Sequence, residues 1–202
     1  LDIEALAVPV SCNTAIEACG AFTVVERTRI GSPYVLDSMA KLNEQYARVA
    51  GFEANGGFLL GSNLENEGRQ LAALPTRDAL LPALTLMVMA AQSGVALSKL
   101  IADLPARYTA SDRLKDFATE KSHALLAKWQ ASPELMQHAL GLQGDITNIN
   151  TTDGLRATLE NGDIVHLRPS GNAPELRCYS ESASQAQASA LVKQSLDALA
   201  NM

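Results

Sequence analysis

Apolar residues recur along this chain in two ways: short runs and alternations that suit buried strands, and three- to four-residue repeats that suit one face of a helix. Ala7 to Val10 is an apolar run fit for a buried strand. Asn13 is placed to cap a short helix from Thr14 to Cys19 that Gly20 stops, and Ala21 to Glu26 reads as a second strand. Ser32-Pro33 opens a longer helix, because a serine oxygen can accept a first-turn N–H and proline brings a preset φ where no donor is needed. Val35, Met39, Leu42 and Tyr46 follow on one face, which predicts that this face is buried. Val49 to Glu53 and Phe58 to Leu60 are expected as strands flanking a glycine-containing turn, and the polar stretch Gly61 to Gln70 is expected as loop.

Thr76-Arg77-Asp78 introduces an apolar helix expected from near Leu81, with Pro82 in its first turn and Ser93-Gly94 at its end. Being apolar nearly all round, it is expected to be covered on more than one side. A shorter helix over Leu97 to Leu104 is cut off by Pro105, and Ala106 to Thr119 then shows no sustained period. A domain boundary is placed in that stretch, near Ala110. Beyond it come a helix holding Leu125, Leu126 and Trp129, a polar region, and an alternating strand at Leu155, Ala157 and Leu159. Asn161-Gly162 is a hairpin signal before strands at Ile164 to Leu167 and Leu176 to Tyr179, and Leu191, Val192, Leu196 and Leu199 mark the inner face of a last helix. The expected fold is α/β in two domains. Residues 1–106 form a mixed α/β sheet domain, and residues 107–202 an α+β domain whose small antiparallel sheet of three or four strands is backed by two helices.

Composition narrows what such a chain can do. With 47% hydrophobic residues it can bury a core, and a net charge of −6 opposes binding to a nucleic acid backbone or an anionic membrane. Cys12, Cys19 and Cys178 form neither a disulfide framework nor a zinc set, so a reducing, cytoplasmic setting fits. The apolar stretch Ala79 to Ala91 is shorter than the ~20 residues a bilayer span needs. Leu1-Asp2-Ile3-Glu4 reads as the interior of a longer polypeptide.

Basic residues in an acidic chain are then local devices. In the run Arg168 to Arg177 (RPSGNAPELR), a polar turn between two strands can aim backbone N–H groups at a phosphate, while Ser170 adds a hydroxyl and Arg168 a fork of donors. A plain turn with two surface arginines would carry the same letters. In Gly51 to Gly57 (GFEANGG), Glu53 and Asn55 could face one ligand as acceptor and donor for sugar hydroxyls; a bland glycine-rich connection is the alternative. Arg27, Arg29, Gly31 and Ser32 precede a helix start that favours an anion. Arg107, Arg113 and Lys115 lie in a stretch that reads either as a solvated linker or as part of a positive cleft. His123, His138 and His166 form no ligand set or triad, and no serine has an evident base.

Taken in order, VPVSCNTAIEACG, RTRIGSPYV, GFEANGG, LPTRDALLP, LPARYTASDRL, NTTDGLRATLENGDIVHLRPSGNAPELRCYSE and the closing helix resemble the α-D-phosphohexomutases, especially their bacterial phosphomannomutase branch. The resemblance covers nearly the whole chain. It implies most of domain 3, without its first helix, followed by C-terminal domain 4 of a four-domain enzyme. By that likeness Glu53, Asn55, Ser32 and Arg29 would bind sugar, and Arg168, Ser170, Gly171, Asn172 and Arg177 would bind phosphate. Asn172 and Ala173 stand where the family more often has threonine and glutamate.

The family's phosphoserine and its magnesium-binding aspartates have no counterpart among these residues, since neither a TASHNP-like nor a DGDGDR-like run occurs. The resemblance therefore implies no catalytic or metal-binding residue here. It also implies a need for domains 1 and 2 of the same polypeptide, and magnesium and a hexose bisphosphate activator used only by the complete enzyme. The implied activity is interconversion of mannose 6-phosphate and mannose 1-phosphate. Glucose or glucosamine phosphate as substrate, or a non-enzymatic phosphosugar-binding module, are the alternatives.

Overall fold

The computed structural model describes residues 1–102 and 104–202. The chain divides into two compact units, Leu1–Pro105 and Ala106–Met202. In the first, strand β1 (Ala5–Pro9) is buried at every position, as a strand must be when neighbours flank both edges and side chains cover both faces. It pairs in parallel with β2 (Val24–Thr28) and β3 (Val49–Phe52), and β4 (Phe58–Leu60) and β7 (Leu74–Asp78) extend the sheet antiparallel, in the order β2-β1-β3-β4-β7.

Helix α2 (Ser32–Leu42) lays Val35, Met39 and Leu42 over one face, against Ala5, Ala7, Val49 and Leu59. Leu6, Val8, Cys12 and Ala50 build the core of the opposite face, beside the short α1 (Ala15–Ala18). Asn13 Oδ1 accepts the Ala15 N–H at 3.2 Å, so it satisfies a first-turn donor from one position outside the cap residue, Thr14. The stretch expected as loop after Gly61 instead contains a hairpin, β5 (Leu64–Asn66) with β6 (Arg69–Leu71), turned by Glu67-Gly68 at positive φ.

Helix α3 (Leu80–Ser93) has Pro82 in its first turn and ends at Gly94 in the left-handed conformation. Asp78 Oδ1 accepts the N–H groups of Leu80 and Leu81, which satisfies two donors of that turn. Among the described residues the expected covering of this helix is incomplete. It packs against α4 (Leu97–Leu100), yet Leu80, Leu84, Met87, Val88 and Met89 remain 47–66% exposed. Asp103, within the helix expected over Leu97 to Leu104, lies outside the described residues.

The second unit is a wholly antiparallel sheet in the order β8-β12-β11-β10-β9. Its strands are β8 (Tyr108–Lys115), β9 (Ile146–Asn150), β10 (Leu155–Leu159), β11 (Ile164–Pro169) and β12 (Glu175–Ser182). Helices α5 (Thr119–Ala131), α6 (Pro133–Leu140) and α7 (Gln185–Ala200) supply the rest of its core. This is larger than the three or four strands and two helices expected. The supposed linker is an edge strand, β8, with mostly exposed side chains, and the supposed polar region holds α6 and β9. The alternation in β10 puts Leu155, Ala157 and Leu159 in the core beside Trp129, Leu167 and Leu176, and leaves Arg156 and Thr158 on the other face.

Candidate functional site

In the first unit the hairpin between β3 and β4 is closed by Glu53 N–H to the Gly57 carbonyl at 2.8 Å and by Gly56 N–H to the Glu53 carbonyl at 3.0 Å. Asn55 Oδ1 accepts the Gly57 N–H at 3.0 Å, which leaves its amide nitrogen as a donor at the loop tip. The Glu53 carboxylate is buried and held from two directions. Ser32 donates its hydroxyl to Oε2 at 2.7 Å, and Arg77 places Nε 2.9 Å and Nη2 2.8 Å from the same oxygen.

Ser32 therefore does not cap α2; the cap position is Gly31, and the hydroxyl is committed to Glu53. Arg27 is likewise diverted from the anion-binding role considered for it. Its guanidinium bonds both Glu17 carboxylate oxygens and the carbonyls of Pro9, Cys12 and Asn13, which fixes the β1–α1 loop. Arg29 is exposed and lies over the Tyr34 ring, 5.3 Å from its centroid. Arg77 was missed by sequence reasoning, which took Thr76-Arg77-Asp78 only as a helix lead-in. A cation in the strand next to an acidic loop was the available signal.

In the second unit the β11–β12 hairpin carries Ser170, Gly171 and Asn172. Ser170 is buried, its N–H reaches the Glu175 carbonyl at 2.8 Å, and its Oγ accepts a long bond from Asn172 N–H at 3.4 Å. Arg168 stands opposite Arg177 in the strand register, and Arg177 stands opposite Arg113, so three guanidiniums follow one line across the sheet. Like charges placed directly opposite each other repel; Asp153 beside Arg168 at 2.7 Å and Glu175 beside Arg113 at 3.5 Å offset part of this, and an anion at Arg177 would offset more. A groove of about 380 Å³ beside this line is lined by Ser111, Asp112, Arg113, Arg177 and Tyr179.

Asp153 Oδ2 takes the Arg168 Nε–H at 2.7 Å and so aims the guanidinium. Gly154 makes this approach possible: a Cβ there would sit 2.2 Å from the Leu167 carbonyl oxygen. Arg107, weighed as linker or cleft residue, is neither. It is largely buried, bonded to Glu181 and to the Gly162 carbonyl. His123 and His138 are exposed, whereas His166 is buried, two residues before Arg168 on β11, and stacked on Tyr179 with ring centroids 5.2 Å apart.

His166 Nε2–H donates to the Asp153 carbonyl at 2.6 Å, while Nδ1 has no partner among the described residues. Burial lowers its pKa to about 4, against the upward pull of that hydrogen bond. The unfolded chain therefore binds a proton more readily than the folded one below pH 6.5, so stability is full above pH 6.5 and falls as pH drops toward 4. Urea unfolding followed by Trp129 fluorescence should show about 2 kcal/mol lost through this group between pH 7 and pH 5. In His166→Phe that component of the slope should vanish; an unchanged slope would assign it to other groups. Burial also raises Cys12 to about 11 and Cys178 to about 12, which leaves both thiols protonated and unreactive at neutral pH.

Among the described residues no three His, Cys, Asp or Glu side chains group to hold a metal ion. No helix among them is long and apolar enough to cross a membrane. Residues 2–108 match the family pattern described as phosphoglucomutase/phosphomannomutase, alpha/beta/alpha domain III, and residues 97–198 match the phosphoglucomutase/phosphomannomutase C-terminal domain. The chain belongs to the phosphoglucomutase/phosphomannomutase family.

Within this family it is 48% identical over 194 residues to a phosphomannomutase of Salmonella muenchen, covering 96% of this chain and 40% of that protein. It is 42% identical over 200 residues to a phosphomannomutase of Sinorhizobium fredii, covering 98% of this chain and 42% of that protein. The chain thus spans about two fifths of the length of these curated relatives. Its fold is also that of Aspergillus fumigatus N-acetylphosphoglucosamine mutase, solved with GlcNAc-6P and magnesium. The TM-score is 0.64 at 16% identity, over 98% of this chain and 39% of that one. A phosphoglucomutase/phosphomannomutase family protein of Burkholderia thailandensis gives a TM-score of 0.60 at 18% identity, over 98% of this chain and 38% of that one.

Proposed function

We propose that this chain is the substrate-gripping C-terminal part of a phosphomannomutase that interconverts mannose 6-phosphate and mannose 1-phosphate. The observation that carries this reading is 48% identity to a phosphomannomutase across 96% of the chain. The two hairpins supply its chemistry. Arg168, Ser170, Arg177 and the N–H groups of Gly171 and Asn172 hold the phosphate that is not being transferred. Glu53 and Asn55 read sugar hydroxyls as acceptor and donor, and Arg29 and Ser32 complete the sugar-binding set. Gripping the substrate away from the reacting oxygen turns binding energy into orientation.

The catalytic phosphoserine, the magnesium and the bisphosphate activator belong, on this reading, to the complete enzyme with its domains 1 and 2. Three free thiols accord with a cytoplasmic setting. The boundary between domains 3 and 4 is proposed at residues 106 and 107. A second reading, with glucosamine phosphate as substrate, has some support from 28% identity to a probable phosphoglucosamine mutase of Methanocella arvoryzae.

The purified 202-residue chain, given mannose 1-phosphate, magnesium and a hexose bisphosphate, should show no turnover approaching ~1 s⁻¹, while the complete polypeptide should interconvert the two mannose phosphates. Ordinary turnover by the short chain would refute the division of labour. A complete polypeptide that converts glucosamine phosphate but not mannose phosphate would favour the second reading.

A further inference from the structure

Arg77 is half exposed, lies on strand β7, and points its guanidinium at a carboxylate that is itself 5% exposed. A carboxylate that buried needs a counter-charge as well as hydrogen bonds, and Ser32 supplies only the latter. Arg77 supplies both, and its Nε also lies 3.1 Å from Ser32 Oγ, so the three side chains form a closed set. Every bond made to the Glu53 carboxylate by these described residues falls on Oε2. Oε1 receives none of them. The stem of Arg77 crosses the loop at Gly57, where a Cβ would be 3.1 Å from Arg77 Cγ and 3.2 Å from Asn55 Oδ1.

We propose that Arg77 is a positioning residue of the sugar loop: it consumes one oxygen of Glu53 and so leaves the other, with the amide nitrogen of Asn55 two residues on, for a hydroxyl pair of a pyranose phosphate. The proposal rests on the reading that Glu53 and Asn55 face the sugar. An acceptor on Glu53 and a donor on Asn55, two residues apart in one turn, match hydroxyls that give one hydrogen bond and take another. A Glu53 side chain without its clamp could rotate and offer either oxygen, and binding would then carry the cost of ordering it. Lysine at position 77 would keep the charge but not the fork that holds Oε2 from two nitrogens.

The test uses the 202-residue chain, labelled for NMR and titrated separately with mannose 1-phosphate and inorganic phosphate. In Arg77→Met the response of the Gly51 to Gly57 amides to mannose 1-phosphate should need ~10-fold more ligand, with the Glu53 carboxyl carbon resonance displaced before any ligand is added. The response of Ser170 to Asn172 to inorganic phosphate should be unchanged, and Arg77→Lys should recover part of the sugar response. A merely structural role would leave no such split between the two ligands. If the wild-type loop responds to mannose 1-phosphate and Arg77→Met responds at the same concentration, the inference is overturned and the sugar reading survives. If the wild-type loop ignores the sugar while Ser170 to Asn172 respond to phosphate, the sugar reading fails and takes the inference with it.

Discussion

Arg107→Ala is expected to destabilise the second unit by about 4 kcal/mol, the cost of removing one member of a largely buried ion pair. Arg107 Nε donates to Glu181 Oε1 at 2.6 Å, and Nη2 donates to the Gly162 carbonyl at 2.5 Å. One side chain thereby ties the entry of β8 to β12 and to the β10–β11 turn. The Glu181 side chain is 5% exposed and that of Arg107 17%, so solvent cannot easily replace the lost guanidinium. In a unit of this size each kcal/mol moves the melting temperature by roughly 4–8 °C, so a fall on the order of 20 °C is expected.

The measurement is clean because the chain has a single tryptophan, Trp129, packed in the core of that unit. Its fluorescence follows the second unit alone. Arg107→Met with Glu181→Met should recover most of the loss, since an apolar pair carries no buried charge to desolvate. A midpoint for Arg107→Ala within about 2 °C of the wild type would mean that the pair contributes orientation but little stability.

The sequence did not reveal this role because a lone arginine after proline, in a stretch without period, carries no sign of the partner 74 residues away. What periodicity does reveal is burial. The spacing of Val35, Met39 and Leu42 and the alternation of Leu155, Ala157 and Leu159 both recur in the structure as buried faces. Strand β8 was hidden because an edge strand with most side chains exposed has no apolar face to alternate. Helix α6 offers only Met136 and Leu140 as buried positions, too few to stand out from the polar residues around them. Apolarity misled in the other direction at α3, since it says that a surface disfavours water, not that these residues cover it.

The site was legible as residue types and loops, not as pairings. Glu53, Ser32 and Asn55 were singled out from their segments, but a sequence cannot show that Ser32 turns its hydroxyl to Glu53 instead of capping its helix. Nor can it show that Arg27 is spent on Glu17 and three carbonyls while Arg77, unremarked in its strand, completes the acidic set. Both outcomes follow from long-range register, which brings β7 alongside β4 and β2 alongside β1.

Arg168→Lys is expected to weaken binding of inorganic phosphate and of mannose 1-phosphate by ~10-fold or more, a loss of at least ~1.4 kcal/mol with no change in formal charge. Asp153 holds Arg168 through Nε, which leaves the two terminal amino groups as a parallel pair of donors for a phosphate. A lysine ammonium can satisfy Asp153 or the phosphate, but it has no planar fork to serve both at once. Asp153→Asn tests the same geometry from behind: the arginine and its charge remain, its aim loosens, and affinity should fall by less than in Arg168→Lys. Glu53→Gln should leave phosphate binding untouched while altering the response to the sugar, which separates the two hairpins. Titration of the 202-residue chain, read at the Ser170 to Asn172 amides, measures all three. The line of guanidiniums decides what failure would mean. If Arg168→Lys binds phosphate as well as the wild type, the anion sits further along the register, between Arg177 and Arg113, and Arg113→Ala should then cause the loss that Arg168→Lys did not.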